Sequence, residues 1–202
     1  MADNEKKITI EIFRKKLPEE LTKSFADPDS RCDAGSAAAL TAASAAALLA
    51  RAAARTPEEG ESAARVAYIA RNAEILRTYM LHLIDEDVKC RGPLRRALKE
   101  GGAQEIEAAR EPATAITAEI VNMMGSLLEL GAELRDLAPA EACYLIASAA
   151  DLAMGAVKAS IRYILDMGSY SSDETYRYVL RRQNEMTLER YASLYAAILG
   201  EE

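Results

Sequence analysis

Hydrophobic residues recur along most of the chain at alternating steps of three and four positions, the spacing of a helix face packed in a bundle. Seams of this kind cover residues 66–83, 106–130 and 145–163, and the step after the first seam falls on Asp87. No segment alternates between apolar and polar positions as a half-buried strand does. The pattern predicts an all-α bundle of five or six long helices, forming a single domain over residues 1–202.

The residues between the seams predict where helices begin. A short helical pattern over residues 8–25 is interrupted at Pro18. Asp33 is placed to cap the next helix, which is predicted to run to about Arg55. Thr56 is the predicted cap of the long helix that follows.

Proline and glycine predict helix ends. Gly92 and Pro93 are the predicted end of the long helix, because proline lacks the backbone N–H that a helix interior needs. Pro112 should kink or restart the helix in which it lies. Ser171 with Glu174 has the spacing of a capping box and predicts the start of a final, tyrosine-bearing helix.

Residues 31–50, RCDAGSAAALTAASAAALLA, contain almost nothing larger than leucine. The whole chain is 50% hydrophobic but only 5% aromatic, with no tryptophan, so its core is built from Ala, Leu, Ile and Met. Small side chains let helix backbones approach closely. The alanine-rich run falls short of the ~20 strongly apolar residues that a membrane span needs, and a buried helix is predicted instead.

Charge and cysteine content narrow the function classes. A net charge of -7 argues against general nucleic-acid binding, which requires a basic surface. Cys32, Cys90 and Cys143 lack the spacing of a metal site and fit a reducing compartment. The amino terminus, MADNEKKITI, has no long apolar stretch of a secretory signal. We expect a cytoplasmic protein with neither nucleic acid nor membrane as a partner.

The acidic run Asp85-Glu86-Asp87 is the first candidate for chemistry. Three acids near a helix end are commonly solvated, but Asp87 continues the buried seam. Desolvation raises the pKa of a carboxyl group toward the range useful for proton transfer. His82, the single histidine of the chain, lies three residues before Asp85 and is either structural or its partner.

A basic patch and a helix start are the other candidates. The patch is a solvated face or a landing site for a polycarboxylate, since guanidinium groups pair with carboxylates; it comprises Lys89, Arg91, Arg95, Arg96 and Lys99. The helix start, Asp33-Ala34-Gly35-Ser36, offers free backbone N–H groups to an anion. A capping carboxylate on Asp33 would satisfy those donors itself.

The order of these features resembles the formiminotetrahydrofolate cyclodeaminase and methenyltetrahydrofolate cyclohydrolase family, small all-α folate enzymes that dimerise. The resemblance covers about residues 21–165. Its members open a small-residue helix with Pro-Gly-Gly-Gly-Ser, matched here by the Gly35-Ser36 start of AGSAAALTAASAAALLA. Three further motifs match: LIDEDVKC for Ile-Asp-x-Asp, AAREP for Ala-Ala-x-x-Pro, and the late Gly155-Ala156.

The resemblance implies a tetrahydrofolate substrate, no permanently bound cofactor or metal, and a homodimer with the site near its interface. The family either closes a formimino group onto the pterin with loss of ammonia or hydrolyses a methenyl bridge. Asp85 and Asp87 are the implied catalytic residues. The implied substrate-binding residues are Asp33, Gly35, Ser36, His82, Arg91 and Arg95.

The helix start departs from the family pattern. Asp33 and Ala34 stand where the family has glycines, and Cys32 stands where it has proline. A Cβ atom or a carboxylate there restricts close approach of a ligand to the backbone. Two alternatives follow: a non-catalytic relative that binds another small molecule or a protein, or a structural dimer module that uses its tyrosine-rich last helix as the contact surface.

Overall fold

The computed structural model describes residues 15–57 and 60–200, and within these ranges the chain forms α-helices with no strand. This confirms the predicted all-α bundle. The helices are α1 (Pro18–Ala26), α2 (Ala34–Ala53), α3 (Ala63–Glu100), α4 (Ala103–Leu137), α5 (Ala140–Gly168) and α6 (Glu174–Leu199), with a 3-10 turn at Gly60–Ser62 before α3. The predicted pattern at residues 8–25 is described only from residue 15, and Pro18 begins α1 rather than interrupting a helix.

The alanine-rich helix α2 lies at the centre of the bundle, packed against α3, α4 and α5. Eleven of its twenty residues are buried, and Leu49 is the largest of them. By length and composition alone, α2 and α5 are each apolar enough to cross a membrane. In the most apolar window of each, 56% and 50% of the residues are buried inside the bundle, as expected of core helices.

The start of α2 confirms one predicted boundary and the start of α3 corrects another. Asp33 caps α2, and its carboxylate accepts a hydrogen bond from the backbone N–H of Ala34. Thr56 does not cap α3, because its hydroxyl donates to the carbonyl of Ala52 in the last turn of α2. The helix α3 begins at Ala63, after the 3-10 turn.

The predicted helix end at Gly92 and Pro93 is wrong, because α3 continues through both residues to Glu100. Pro93 is exposed, and so is Lys89. The carbonyl of Lys89 receives no helical hydrogen bond, because Pro93 has no backbone N–H. Water can solvate that carbonyl. Leu94 and Ala97 are buried and hold the last turns of the helix against the bundle.

Two other predicted boundaries also differ from the structure. Pro112 lies on the exposed side of α4, which runs without a break from Ala103 to Leu137, so no helix restarts there. The cap of α6 is Asp173, whose carboxylate accepts from the backbone N–H groups of Thr175 and Tyr176. Ser171 instead accepts a hydrogen bond from the Asp173 N–H, so the predicted capping box does not form.

The last helix is attached to the bundle mainly through its second half. Tyr191 and Ile198 are its buried residues, and each lies against a glycine of α4. A Cβ atom on Gly125 would lie 2.7 Å from the Tyr191 ring carbon Cε1 and still closer to the phenol oxygen. One on Gly131 would lie 3.3 Å from the Ile198 Cδ1. These glycines allow α6 to approach α4.

We expect Gly125→Ala to lower the free energy of unfolding by about 1–3 kcal/mol, because the added methyl group overlaps the buried Tyr191 ring. Urea denaturation followed by circular dichroism measures the change. Gly155→Ala is the matched control, because nothing lies within 4 Å of a Cβ built there in the exposed part of α5. The control should gain about 0.5–1 kcal/mol from helix propensity. Equal stability of the two variants would contradict the proposed packing.

Candidate functional site

The candidate site is built around Asp87, the acid at the predicted seam position of α3. Its side chain is fully buried, and the hydroxyl of Ser36 donates to its Oδ2 at 2.7 Å. Gly35 packs its backbone directly against the carboxylate, since a Cβ atom there would lie 2.8 Å from the carboxyl carbon. The start of α2 therefore needs glycine at position 35 to accommodate this acid.

Arg91 lies one turn after Asp87 on α3 and neutralises it inside the protein. Its Nη2 is 3.1 Å from the Asp87 Oδ1, and its Nη1 is 3.1 Å from the Asp33 Oδ2. Burial acts to lower the pKa of Arg91, but the nearby Asp87, Tyr163 and Asp33 raise it above its ordinary value. The guanidinium thus remains charged between two carboxylates.

The ring of Tyr163, on α5, completes the enclosure of Arg91. The guanidinium carbon lies 4.2 Å from the ring centroid, within the range of a cation–π contact. Burial raises the pKa of Tyr163 to about 12, so the phenol keeps its proton at neutral pH. Its hydroxyl is buried and has no hydrogen-bond partner among the described residues.

A polar cleft of about 270 Å³ adjoins this cluster at Asp33 and Arg91. It is lined by Phe25, Asp27, Pro28, Ser30, Arg31, Cys32, Asp33, Arg91 and Arg95. The Asp33 side chain is 58% exposed, whereas Asp87 is 0% exposed. Of the two carboxylates paired with Arg91, the one that a molecule in the cleft meets is therefore that of Asp33.

The structure brings together five of the residues that the sequence pointed to, namely Asp33, Gly35, Ser36, Asp87 and Arg91. Arg95 also lines the cleft, but its guanidinium donates hydrogen bonds to the backbone carbonyls of residues 28, 29 and 30. Its observed contacts hold the loop before α2 in place.

His82 and Asp85 are not among the residues that line the cleft. The His82 Nε2 is 3.4 Å from the Glu86 carboxylate, and the side chain is about half exposed. Asp85 is half-buried and lies two residues before Asp87 on α3. Among the described residues, no group of three or more His, Cys, Asp or Glu side chains is arranged to hold a metal ion.

Two residues of the site were missed by the sequence reasoning. Tyr163 ends the third hydrophobic seam, where its apolar spacing conceals its contact with Arg91. Arg31 directly precedes the helix start, and its guanidinium carbon would lie 3.6 Å from a Cβ built on Gly92. Its position two residues before Asp33 is the sequence feature that could have indicated a cation near the start of α2.

One comparison with known proteins identifies a family. A family model described as formiminotransferase-cyclodeaminase matches residues 18–185. The structure is similar to that of a formiminotetrahydrofolate cyclodeaminase from Thermotoga maritima, with a TM-score of 0.84 and 18% sequence identity over 93% of this chain and 96% of that chain. This likeness shows a shared fold. No curated protein matches the chain significantly.

We expect Arg91→Met to destabilise the fold by about 3–5 kcal/mol, because it leaves the carboxylate of Asp87 buried without a counter-charge. Urea denaturation at pH 7 measures the loss. Arg96→Met, at an exposed position of the same helix, is the matched control and should stay within about 0.5 kcal/mol of the parent.

Replacing both members of the pair provides a second check. The double variant Asp87→Leu, Arg91→Met should recover much of the lost stability, since it removes both buried charges. If Arg91→Met is as stable as the parent, Asp87 does not depend on this guanidinium.

Proposed function

The chain belongs to the formiminotransferase-cyclodeaminase family, and we propose that it is a tetrahydrofolate enzyme that closes a formimino group into the methenyl bridge with release of ammonia. The observation that carries this proposal is the Asp33–Arg91–Asp87 cluster at the base of the cleft. Two carboxylates around one guanidinium give the cluster itself a net negative charge, which Asp33 presents to the cleft.

The formimino group suits such a site because its protonated form is an amidinium-like cation. In cyclodeamination the N10 nitrogen adds to the formimino carbon and forms a C–N bond. The N10 proton then moves to the nitrogen that will leave. The bond between the formimino carbon and that nitrogen breaks, and ammonia departs. The bridged product keeps the single positive charge. A carboxylate beside the reacting centre stabilises that charge and carries the proton between the two nitrogens.

The cleft also offers a cation for the carboxylate tail of a folate. Arg31 lines it and is exposed, and no hydrogen bond or ion pair engages its guanidinium among the described residues. Arg91 and Arg95 are each held by the protein, through carboxylates and backbone carbonyls respectively. Arg31 is therefore the residue we assign to the tail, since guanidinium groups pair well with carboxylates.

A second candidate function is non-catalytic binding of a folate or a similar small molecule. The observation that favours it is the enclosure of Asp87, the acid implied as catalytic by the family resemblance. Arg91 covers this carboxylate with a side chain that is only 4% exposed. A fully paired, buried acid is a poor proton carrier unless the pair opens.

The test is turnover of formiminotetrahydrofolate by the purified protein, followed by ammonia release and by the absorbance of the methenyl product. We expect release of one ammonia for each methenyl bridge formed. Arg31→Gln should raise KM about tenfold with little change in kcat, because it removes one charge-assisted contact to the ligand tail. Lys99→Gln, an exposed change in the last turn of α3, is the matched control.

Loss of absorbance from added methenyltetrahydrofolate is followed in parallel. Faster decay than in buffer, without ammonia release from the formimino substrate, would replace cyclodeamination by hydrolysis of the bridge. Saturable folate binding with no turnover of either compound would support the non-catalytic candidate. If the protein neither binds nor turns over either folate compound, folate is excluded as its ligand.

A further inference from the structure

Only one of the two carboxylates that flank Arg91 opens on the cleft. Asp87 is enclosed by the Ser36 hydroxyl, the Gly35 backbone and the Arg91 guanidinium. Asp33 is 58% exposed and lines the cleft. A group that exchanges a proton with a ligand must come within hydrogen-bond distance of it. Asp33 meets this condition in the observed arrangement, and Asp87 does not.

Asp33 is also held in a fixed position by the groups behind it. Its Oδ1 accepts from the Ala34 N–H at 2.6 Å, and its Oδ2 pairs with the Arg91 Nη1 at 3.1 Å. Arg91 is fixed in turn by Asp87, whose Oδ1 lies 3.1 Å from the Nη2. The buried acid therefore orients the exposed acid through one guanidinium.

The hydroxyl of Tyr163, which is not among the residues that line the cleft, is a further polar group beside this cluster. The residue is only 9% exposed, and the hydroxyl has no partner among the described residues. It interacts electrostatically with Arg91, Asp87 and Asp33, so it belongs to the same cluster. A buried donor without a partner costs free energy, and such groups in native proteins are commonly completed by water or a ligand.

We propose that Asp33 is the catalytic carboxylate of this chain and that Asp87 is a positioning residue that acts through Arg91. This inference rests on the proposed cyclodeaminase function. The Asp33 carboxylate accepts the N10 proton of the adduct and becomes a neutral carboxylic acid. It then gives that proton to the departing nitrogen and is a carboxylate again when ammonia leaves. No proton is gained or lost over the cycle.

The experiment compares Asp33→Asn, Asp33→Ser and Asp87→Asn with the parent in cyclodeamination, measuring kcat and KM across pH. Asn and Ser both cap helices well, so the start of α2 should remain folded, and thermal unfolding checks this. Both Asp33 variants should lose at least about a hundredfold in kcat, with KM within about threefold. They should also lose the acidic limb of the kcat–pH profile.

Asp87→Asn should lower kcat but retain that acidic limb, since the Asp33 carboxylate is still present. Asp29→Asn is the matched control, because Asp29 is exposed in the same loop and lies outside the cleft lining. It should behave like the parent. Asp33→Glu should recover part of the activity and the acidic limb.

The outcomes separate this assignment from the function on which it rests. An active parent whose Asp33 variants keep full kcat and the acidic limb would overturn the assignment alone. Loss of the limb in Asp87→Asn, with retention in Asp33→Asn, would transfer the role to Asp87. A parent protein without any turnover would overturn both the cyclodeaminase proposal and the role of Asp33.

Discussion

The buried ion pair between Asp87 and Arg91 constrains this end of the bundle more than any other contact. Removing both charges from water costs several kcal/mol for each ion, and the pair is tolerated only when further polar contacts accompany it. Ser36, Asp33 and the Tyr163 ring supply those contacts. Since these residues belong to or adjoin α2 and α5, one pair on α3 aligns three helices.

The small residues of α2 are a consequence of the same arrangement. At its first turn, Gly35 leaves room for the Asp87 carboxylate, where even a methyl group would overlap it. Farther along, alanines bring the helix close to its neighbours, and Leu49 is fully buried near its end. Small-residue packing and the charged cluster therefore depend on each other. Close approach of the backbones leaves room for a polar group that a larger side chain would exclude.

The periodicity of the sequence predicted the helices and gave Asp87 the next position of a buried seam, because both depend on local spacing. The helix end predicted from Gly92 and Pro93 is wrong, because whether a proline ends a helix depends on which side of α3 it occupies. An exposed proline leaves its orphaned carbonyl to water, and the helix continues. The exposure of Asp33 relative to Asp87 was equally hidden, since exposure is set by Arg91 and by contacts between helices distant in sequence.

Tyr163 and Arg95 also make tertiary contacts that their positions in the sequence do not reveal. Tyr163 has the spacing of a core residue, yet its ring covers a guanidinium on another helix. Arg95 belongs to a basic patch that was predicted to be either a solvated face or a landing site for a polycarboxylate, yet its donors are directed at the carbonyls of residues 28–30. Residue type and spacing identify which groups can take part in a site, whereas the tertiary contacts decide which of them a ligand can reach.

The carboxylate at position 33 also determines how a ligand can approach. A helix start with free N–H groups favours an anion, but here Asp33 accepts from the Ala34 N–H and adds its own negative charge. A carboxylate tail placed there would be repelled, whereas a cationic one-carbon centre would be stabilised. Under the proposed folate function, the anionic tail is then best accommodated beside Arg31, on the exposed side of the cleft. Aspartate at this position thus makes the helix start favour a cation rather than an anion.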